Sequence, residues 1–317
     1  MKQPLVILSG PTAVGKTKLS IALAKRIGGE IISADSMQVY KYMDIGTAKI
    51  MPEEMNGVKH YLIDCLTPDQ EFNVTVFQRM AREAIEQILR NGHIPIVVGG
   101  TGFYIQALLK GVEFDSEEES DGYRKQLEDT AAMPDGAAIL HDMLKSCDPD
   151  SAEAIPSGNV KRVIRALEFY HIHGYTISEH NKANAARVPD YNYAYFVLTR
   201  DRADLYADIE RRVDLMMEAG LLDEVKRIVE LGYGKCAVSM QGLGYKQILA
   251  HLRGECTLEE AVYRIKLETR HFAKRQMTWF RRENDVILLD KSKQSEEEIL
   301  KDMLTVLEDK GIVTGVS

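Results

Sequence analysis

Residues 10–17 read GPTAVGKT, the spacing G-x-x-x-x-G-K-[ST]. Glycines in such a run let successive backbone N–H groups turn inward onto an anion, while Lys16 adds a point charge and Thr17 offers a hydroxyl to Mg²⁺. The pattern points to a diphosphate held by Gly10, Pro11, Thr12, Ala13, Val14, Gly15, Lys16 and Thr17, against the plainer reading of a Gly/Pro turn. A nucleotide hydrolase also needs an apolar strand ending in Asp, to hold the metal and position water. Residues 94–98 (IPIVV) run into Gly-Gly-Thr instead. Two segments do end in Asp, at Asp64 and Asp290, and both read more simply as acidic strand ends. Residues 181–184 (NKAN) lack the aspartate of a guanine-reading motif. The carboxylate of most interest is Asp35, in Asp35-Ser36-Met37-Gln38. It reads either as a group facing the phosphate loop or as a helix N-cap.

These groups need a scaffold. Residues 5–9 (LVILS) form a short apolar run before the glycine loop, and residues 17–27 follow with helical spacing until Gly28-Gly29 stops them. Further apolar runs at 30–34, 61–63, 94–98, 195–198 and 286–289 read as strands. Residues 76–90 carry one apolar stripe at helical spacing. Strands alternating with helices imply an α/β fold with a parallel sheet covered on both faces, a P-loop NTPase-like core. Residues 159–173 and 201–220 read as helices, and a last long helix starts at Thr257 with Glu260 three residues on. The expected organisation is a core of residues 1–114 and 196–317 with a mainly helical insertion at 115–195.

The chain has 317 residues, a formal net charge of −8 and four scattered cysteines without zinc spacing. Its first residues read as a strand, not as a signal peptide, and no stretch approaches the roughly 20 apolar residues of a membrane span. A cytoplasmic protein without membrane partners is expected. The acidity is uneven: residues 113–153 carry −10 and residues 283–310 carry −5. Between Arg264 and Arg282 stand seven basic residues against Glu268 alone, so the low pI does not exclude a nucleic acid.

Taken in order, GPTAVGKT (10–17), SADSMQVY (33–40), DIGTAK (44–49), HYLID (60–64), GGTGFY (99–104), VKRVIRALE (160–168), GLLDEV (220–225), GLGYK (242–246) and AKRQMTWFR (273–281) resemble the bacterial tRNA dimethylallyltransferases, or tRNA isopentenyl transferases. The resemblance runs almost end to end, apart from the acidic segment 113–153. It implies transfer of a dimethylallyl group from dimethylallyl diphosphate to the exocyclic N6 amine of the adenosine 3′ of the anticodon, with Mg²⁺ as cofactor, the tRNA anticodon loop as partner and a monomeric enzyme.

On this resemblance the catalytic residues are Asp35 as general base, Thr12 as donor to the bridging oxygen and Arg212 as second cation, with Arg211 as the rival for that place. Thr17 holds the metal. The tRNA-binding set is Asp35, Ser36, Met37, Gln38, Thr101, Asn159, Val160, Lys161, Arg162, Val163, Gln241, Lys246, Lys274, Arg275, Gln276, Trp279 and Arg281. Lys266, Arg270 and Lys274 would form one basic face of the last long helix, and Trp279 reads equally as core packing or base stacking. Two other readings use the same loop: a prenyltransferase of free adenine nucleotide, which needs no basic helix, and a small-molecule kinase, which needs an arginine-rich lid.

Overall fold

The structure, a computed structural model, describes residues 2–112, 122–236 and 238–315. The elements in chain order are β1 (Gln3–Ser9), α1 (Lys16–Ile27), β2 (Gly29–Ser33), β3 (His60–Tyr61), α2 (Val74–Arg90), β4 (Ile94–Gly99), α3 (Gly102–Lys110), α4 (Tyr123–Ala131), α5 (Gly136–Cys147), α6 (Pro149–Ala154), α7 (Val160–His173), α8 (Ile177–Ala186), β5 (Tyr191–Thr199), α9 (Arg202–Glu218), α10 (Leu221–Glu230), α11 (Tyr245–Leu252), α12 (Leu258–Phe280), β6 (Val286–Asp290) and α13 (Glu296–Asp309).

The strands form one six-stranded parallel sheet in the order β3-β2-β4-β1-β5-β6. The parallel α/β architecture expected from the apolar runs is present. β1 is central, and its side chains divide by alternation. Leu5 and Ile7 enter the core under α2, α3 and α12, whereas Val6 and Leu8 enter the core under α1 and α13. Because both faces are covered, the run is continuously apolar, and truncating one of these residues to Ala costs about 2–5 kcal/mol.

Local signals set the helix ends. Gly28 closes α1 in the left-handed region at φ 62°, and Asn73 accepts the Val76 N–H to start α2. Thr257 and Glu260 form the anticipated capping box of α12.

The chain divides into two compact units, residues Met1–Leu109 with Asp190–Ser317, and Lys110–Pro189. The expected first boundary at 114/115 and the run Glu117–Glu119 lie outside the described residues. The expected second boundary at 195/196 moves, because Tyr191 to Tyr195 already pair with β1 from Gln3 to Ile7. The second unit is helical, and Leu127, Leu140, Leu144, Val163 and Leu167 form its own core.

Candidate active site

The loop between β1 and α1 owes its shape to its glycines. Gly10 and Gly15 take φ of 144° and 90°, and Ala13 joins them at 65°. A β-carbon on Gly10 would lie 2.7 Å from the Leu198 carbonyl, so a side chain there is excluded by space as well as by φ. Val14 is buried in the core and anchors the turn. Lys16 folds back over the loop and donates to the carbonyls of Gly10 (2.9 Å) and Pro11 (2.7 Å). Burial, followed by the nearby Arg212, pushes its pKa down to about 7, with Asp35 pulling the other way.

Two cavities meet at this loop. The first, about 420 Å³, is lined by the residues from Thr12 to Thr17 together with Arg200, Arg211, Arg212 and Lys291. The second, about 460 Å³, is more apolar and is walled by Phe72, Tyr104, Val213, Met216, Ile265 and Phe272. Tyr104 stacks on Phe77 at 4.8 Å, and burial pushes its hydroxyl up to about 12, so it stays protonated. Thr12, Asp35, Arg212 and Gln276 line both cavities. A cationic chamber and an apolar one thus share a wall that carries a hydroxyl, a carboxylate and a guanidinium.

Asp35 follows β2 directly, and its Oδ1 accepts the N–H of Met37 at 2.8 Å and of Gln38 at 3.4 Å. It holds a turn while remaining on the wall of both cavities, so the two sequence readings of Asp35 coexist. Arg212 is distinguished from Arg211 by its surroundings. Arg211 is exposed and paired with Asp208 at 2.6 Å. Arg212 is half-buried between Lys16 and Asp35 and lines both cavities; burial pushes its pKa down and Asp35 opposes this.

The wall is braced from distant parts of the chain. Gln276 on α12 accepts the Thr12 N–H at 2.9 Å and donates to the Gly100 carbonyl at 2.9 Å. Expected at the RNA, its amide is instead buried and committed to two backbone groups. Gln38, also expected at the base, accepts from Ser33 Oγ at 3.2 Å and points its Nε2 at the carbonyls of Thr47 and Ala48. Glu224 on α10 accepts the N–H groups of Asp44, Ile45 and Gly46 at 2.7–3.0 Å and the Tyr245 hydroxyl at 2.6 Å. Lys49, almost wholly buried, reaches the Tyr40 carbonyl, Asp44 and Asp64. Asp64 is therefore the partner of Lys49, and Asp290 caps its own turn at Ser292 while pairing with Lys293.

The remaining expected contacts separate. Ser36, Met37, Thr101, Gln241, Lys246 and Arg275 line the second cavity. Lys246 is ion-paired with Glu268. On α12, Lys266 pairs with Asp214 and Arg270 with Glu210, each at 2.5 Å, so the acidic side of α9 neutralises two-thirds of the anticipated basic face. Lys274, Arg275 and Arg281 are exposed. Trp279 lies against the core beside Gly102, where a β-carbon would come within 2.3 Å of the indole, and Phe103 meets it edge-on at 6.2 Å. In the second unit, Asn159, Lys161 and Arg162 are exposed at the start of α7, and Val160 is half-buried. Val163, expected at the RNA, is fully buried in that unit's core and packs there instead.

Arg200 and Lys291 were not singled out in the sequence. Each follows the carboxyl end of a strand, β5 and β6, where ligands of open parallel sheets bind, and that position was the available signal.

Comparison with known proteins gives the chain its family. The family model described as IPP transferase matches residues 38–283. A tRNA dimethylallyltransferase of Lachnoclostridium phytofermentans is 58% identical over 98% of this chain and 99% of its own length. One from Acetivibrio thermocellus is 50% identical over 97% and 98%. The crystal structure of a tRNA isopentenylpyrophosphate transferase from Staphylococcus epidermidis is 40% identical, covers 98% of this chain and 100% of that chain, and superposes with a TM-score of 0.73. A eukaryotic dimethylallyltransferase described as acting on tRNA is 30% identical, over 91% of this chain and 74% of that one, with a TM-score of 0.74. With the phosphate loop, the shared wall at Asp35 and the full-length similarity together, the chain belongs to the tRNA dimethylallyltransferase family.

Proposed function

We infer that the protein transfers a dimethylallyl group from dimethylallyl diphosphate to the N6 amine of the adenosine 3′ of the anticodon in tRNA. The observation that carries this is the meeting of the cationic and apolar cavities at Thr12, Asp35 and Arg212. The loop N–H groups, Lys16 and Arg212 hold the diphosphate, and the aromatic and aliphatic wall of Phe72, Tyr104 and Val213 surrounds the hydrocarbon and the base.

The bond from the allylic carbon to the bridging oxygen breaks, and its electron pair leaves on the diphosphate. Thr12 donates a hydrogen bond to that oxygen, and the charge is stabilised by the preorganised loop. The bond from N6 to the allylic carbon forms, and the proton leaving N6 passes to Asp35. The adenine amine is a weak nucleophile because its lone pair is delocalised, so a base at this point contributes roughly 10²–10⁴-fold. The adenosine has to leave its loop stack to enter, and stacking and edge contacts then hold it. Lys161, Arg162, Lys274, Arg275 and Arg281 supply phosphate contacts, and Asn159, Thr101 and Gln241 supply polar ones.

The site suits Mg²⁺. Thr17 is exposed on the floor of the first cavity, and among the described residues no cluster of three His, Cys, Asp or Glu side chains forms a cage of protein ligands alone. One hydroxyl together with diphosphate oxygens and water is a donor set that Mg²⁺ favours. When bound, the metal would neutralise charge on the leaving group.

Incubation with labelled dimethylallyl diphosphate and Mg²⁺, offering unmodified tRNA, AMP or ATP, tests the reading. Label is expected in tRNA alone. Label in AMP overturns the acceptor, and phosphate transfer from ATP without prenyl transfer overturns the reaction.

A further inference from the structure

The first cavity holds more positive charge than the phosphate loop accounts for. Thr199 and Asp290 are paired at the ends of β5 and β6. The turns that follow are latched together: the Lys291 N–H donates to the Thr199 carbonyl at 3.0 Å, and the Asp201 N–H donates to Ser292 Oγ at 2.8 Å. This places Arg200 and Lys291 side by side on the cavity wall. Lys291 is also the neighbour of the phosphate loop itself, since a β-carbon built on Gly15 would lie 2.6 Å from its Nζ. The Lys291 side chain is 13% exposed, and Arg200 has a buried Nε that makes no hydrogen bond and lies 3.9 Å from the Asp204 carboxylate, while its Nη1 holds Asp208.

We propose that Lys291 and Arg200 form a second cationic wall that takes the distal phosphate of the bound diphosphate beside Gly15; this rests on the reading of the first cavity as a diphosphate site. Residue 291 stands outside the segment 38–283 matched by the family model. Lys291 is free to change partners because Glu296, which it meets at 3.1 Å, is shared with Lys18 at 2.7 Å. The Lys18 hydrogen bond is the main cause that holds the Glu296 carboxyl below its usual range, with Lys291 contributing less. When Lys291 moves onto a phosphate, Glu296 keeps Lys18 and no carboxylate is orphaned. Arg200 answers with its guanidinium, which lines the same cavity, while Asp208 keeps Arg211. Lys291 is thus a binding residue for the donor and for the diphosphate product.

The test compares the full chain with its Lys291→Ala, Lys291→Arg and Lys293→Ala variants by calorimetry with Mg²⁺ and either inorganic diphosphate or inorganic phosphate. Lys291→Ala is expected to weaken diphosphate about tenfold to a hundredfold, the loss of one charge-assisted contact. Single phosphate should bind it as it binds the wild type. Lys291→Arg, which keeps the positive charge, should lose much less than Lys291→Ala. Lys293→Ala, on an 80% exposed side chain, should change nothing. Steady-state kinetics should show a raised KM for the donor without a matching loss of kcat. In the wild type, diphosphate should protect Lys291 from amine acetylation, read by peptide mass, which keeps the idea testable if a variant fails to fold. Undiminished diphosphate binding by Lys291→Ala, or equal acetylation with and without diphosphate, overturns the proposal and leaves the phosphate loop standing. A wild type that binds diphosphate no better than Lys16→Ala overturns both.

Discussion

Gln276 Oε1 accepts the N–H of Thr12 at 2.9 Å, across 264 positions of sequence. The same amide donates to Gly100, so one side chain on α12 holds the β1–α1 loop and the end of β4 together. A β-carbon on Gly100 would come within 2.1 Å of the amide nitrogen, and the fit has no slack. Gln276→Leu should keep the volume and lose both bonds. The expected cost is about 1–3 kcal/mol of stability, the desolvation penalty of buried groups left unpaired. The donor KM should rise more than the KM for tRNA. Thermal unfolding and steady-state kinetics check both, and an unchanged donor KM would show that the loop holds its shape unaided.

Lys16 carries a pH dependence. Burial holds its pKa at about 7, so at pH 8 the empty site has a largely neutral lysine. A bound diphosphate favours the charged form and raises that pKa. Binding at pH 8 should therefore take up a proton, and affinity should weaken as pH climbs from about 7 towards the raised value. Calorimetry in buffers of different ionisation heat measures the uptake. Lys16→Arg, always charged, should remove this component.

Asp35 serves the turn and the wall together, so its substitutions separate the two. Asp35→Asn keeps an oxygen for the Met37 N–H and removes the carboxylate proposed as the base. It should reduce kcat by roughly 10²–10⁴-fold, with tRNA binding and melting temperature close to wild type. Asp35→Ala should lose the same rate and also destabilise the turn. An Asn variant with near-normal kcat would leave Asp35 a purely structural cap.

The basic residues of α12 should be unequal in RNA binding. Lys274 is exposed, while Lys266 and Arg270 are neutralised by Asp214 and Glu210. Lys274→Ala should lower the slope of log K against log salt for tRNA by about one. Lys266→Ala should change it far less, because no counterion is released from an already paired lysine. Filter binding over a salt series reads this, and equal slopes for the two variants would place both at the RNA.

Glu224 shows how a motif can be conspicuous for structural reasons. It gathers three backbone N–H groups and the Tyr245 hydroxyl around the loop that carries Thr47 and Ala48 into the first cavity. Glu224→Ala should cost about 2–3 kcal/mol through the orphaned donors, measured by denaturant unfolding. Tyr245→Phe, which removes one of those donors, should cost less.

What the sequence determined by itself is local or periodic. The phosphate loop is written in eight consecutive residues, because its shape depends on glycine conformations and on the charge of Lys16. The parallel sheet is written in continuous apolar runs, because strands covered on both faces leave no room for alternation. Asp35 was legible because it follows a strand. The tertiary structure alone decided what depends on neighbours remote in the chain. It separated Arg212 from Arg211 by giving Asp208 to one and the shared wall to the other. It neutralised Lys266 and Arg270 with the acids of α9, buried Val163 in a helical core and committed Gln276 to the phosphate loop. It also brought Arg200 and Lys291 together from strands that are neighbours in the sheet and about 90 residues apart in sequence. Charge and hydrogen-bond capacity are properties of a side chain, but whether they are free for a substrate is set by what folds against them.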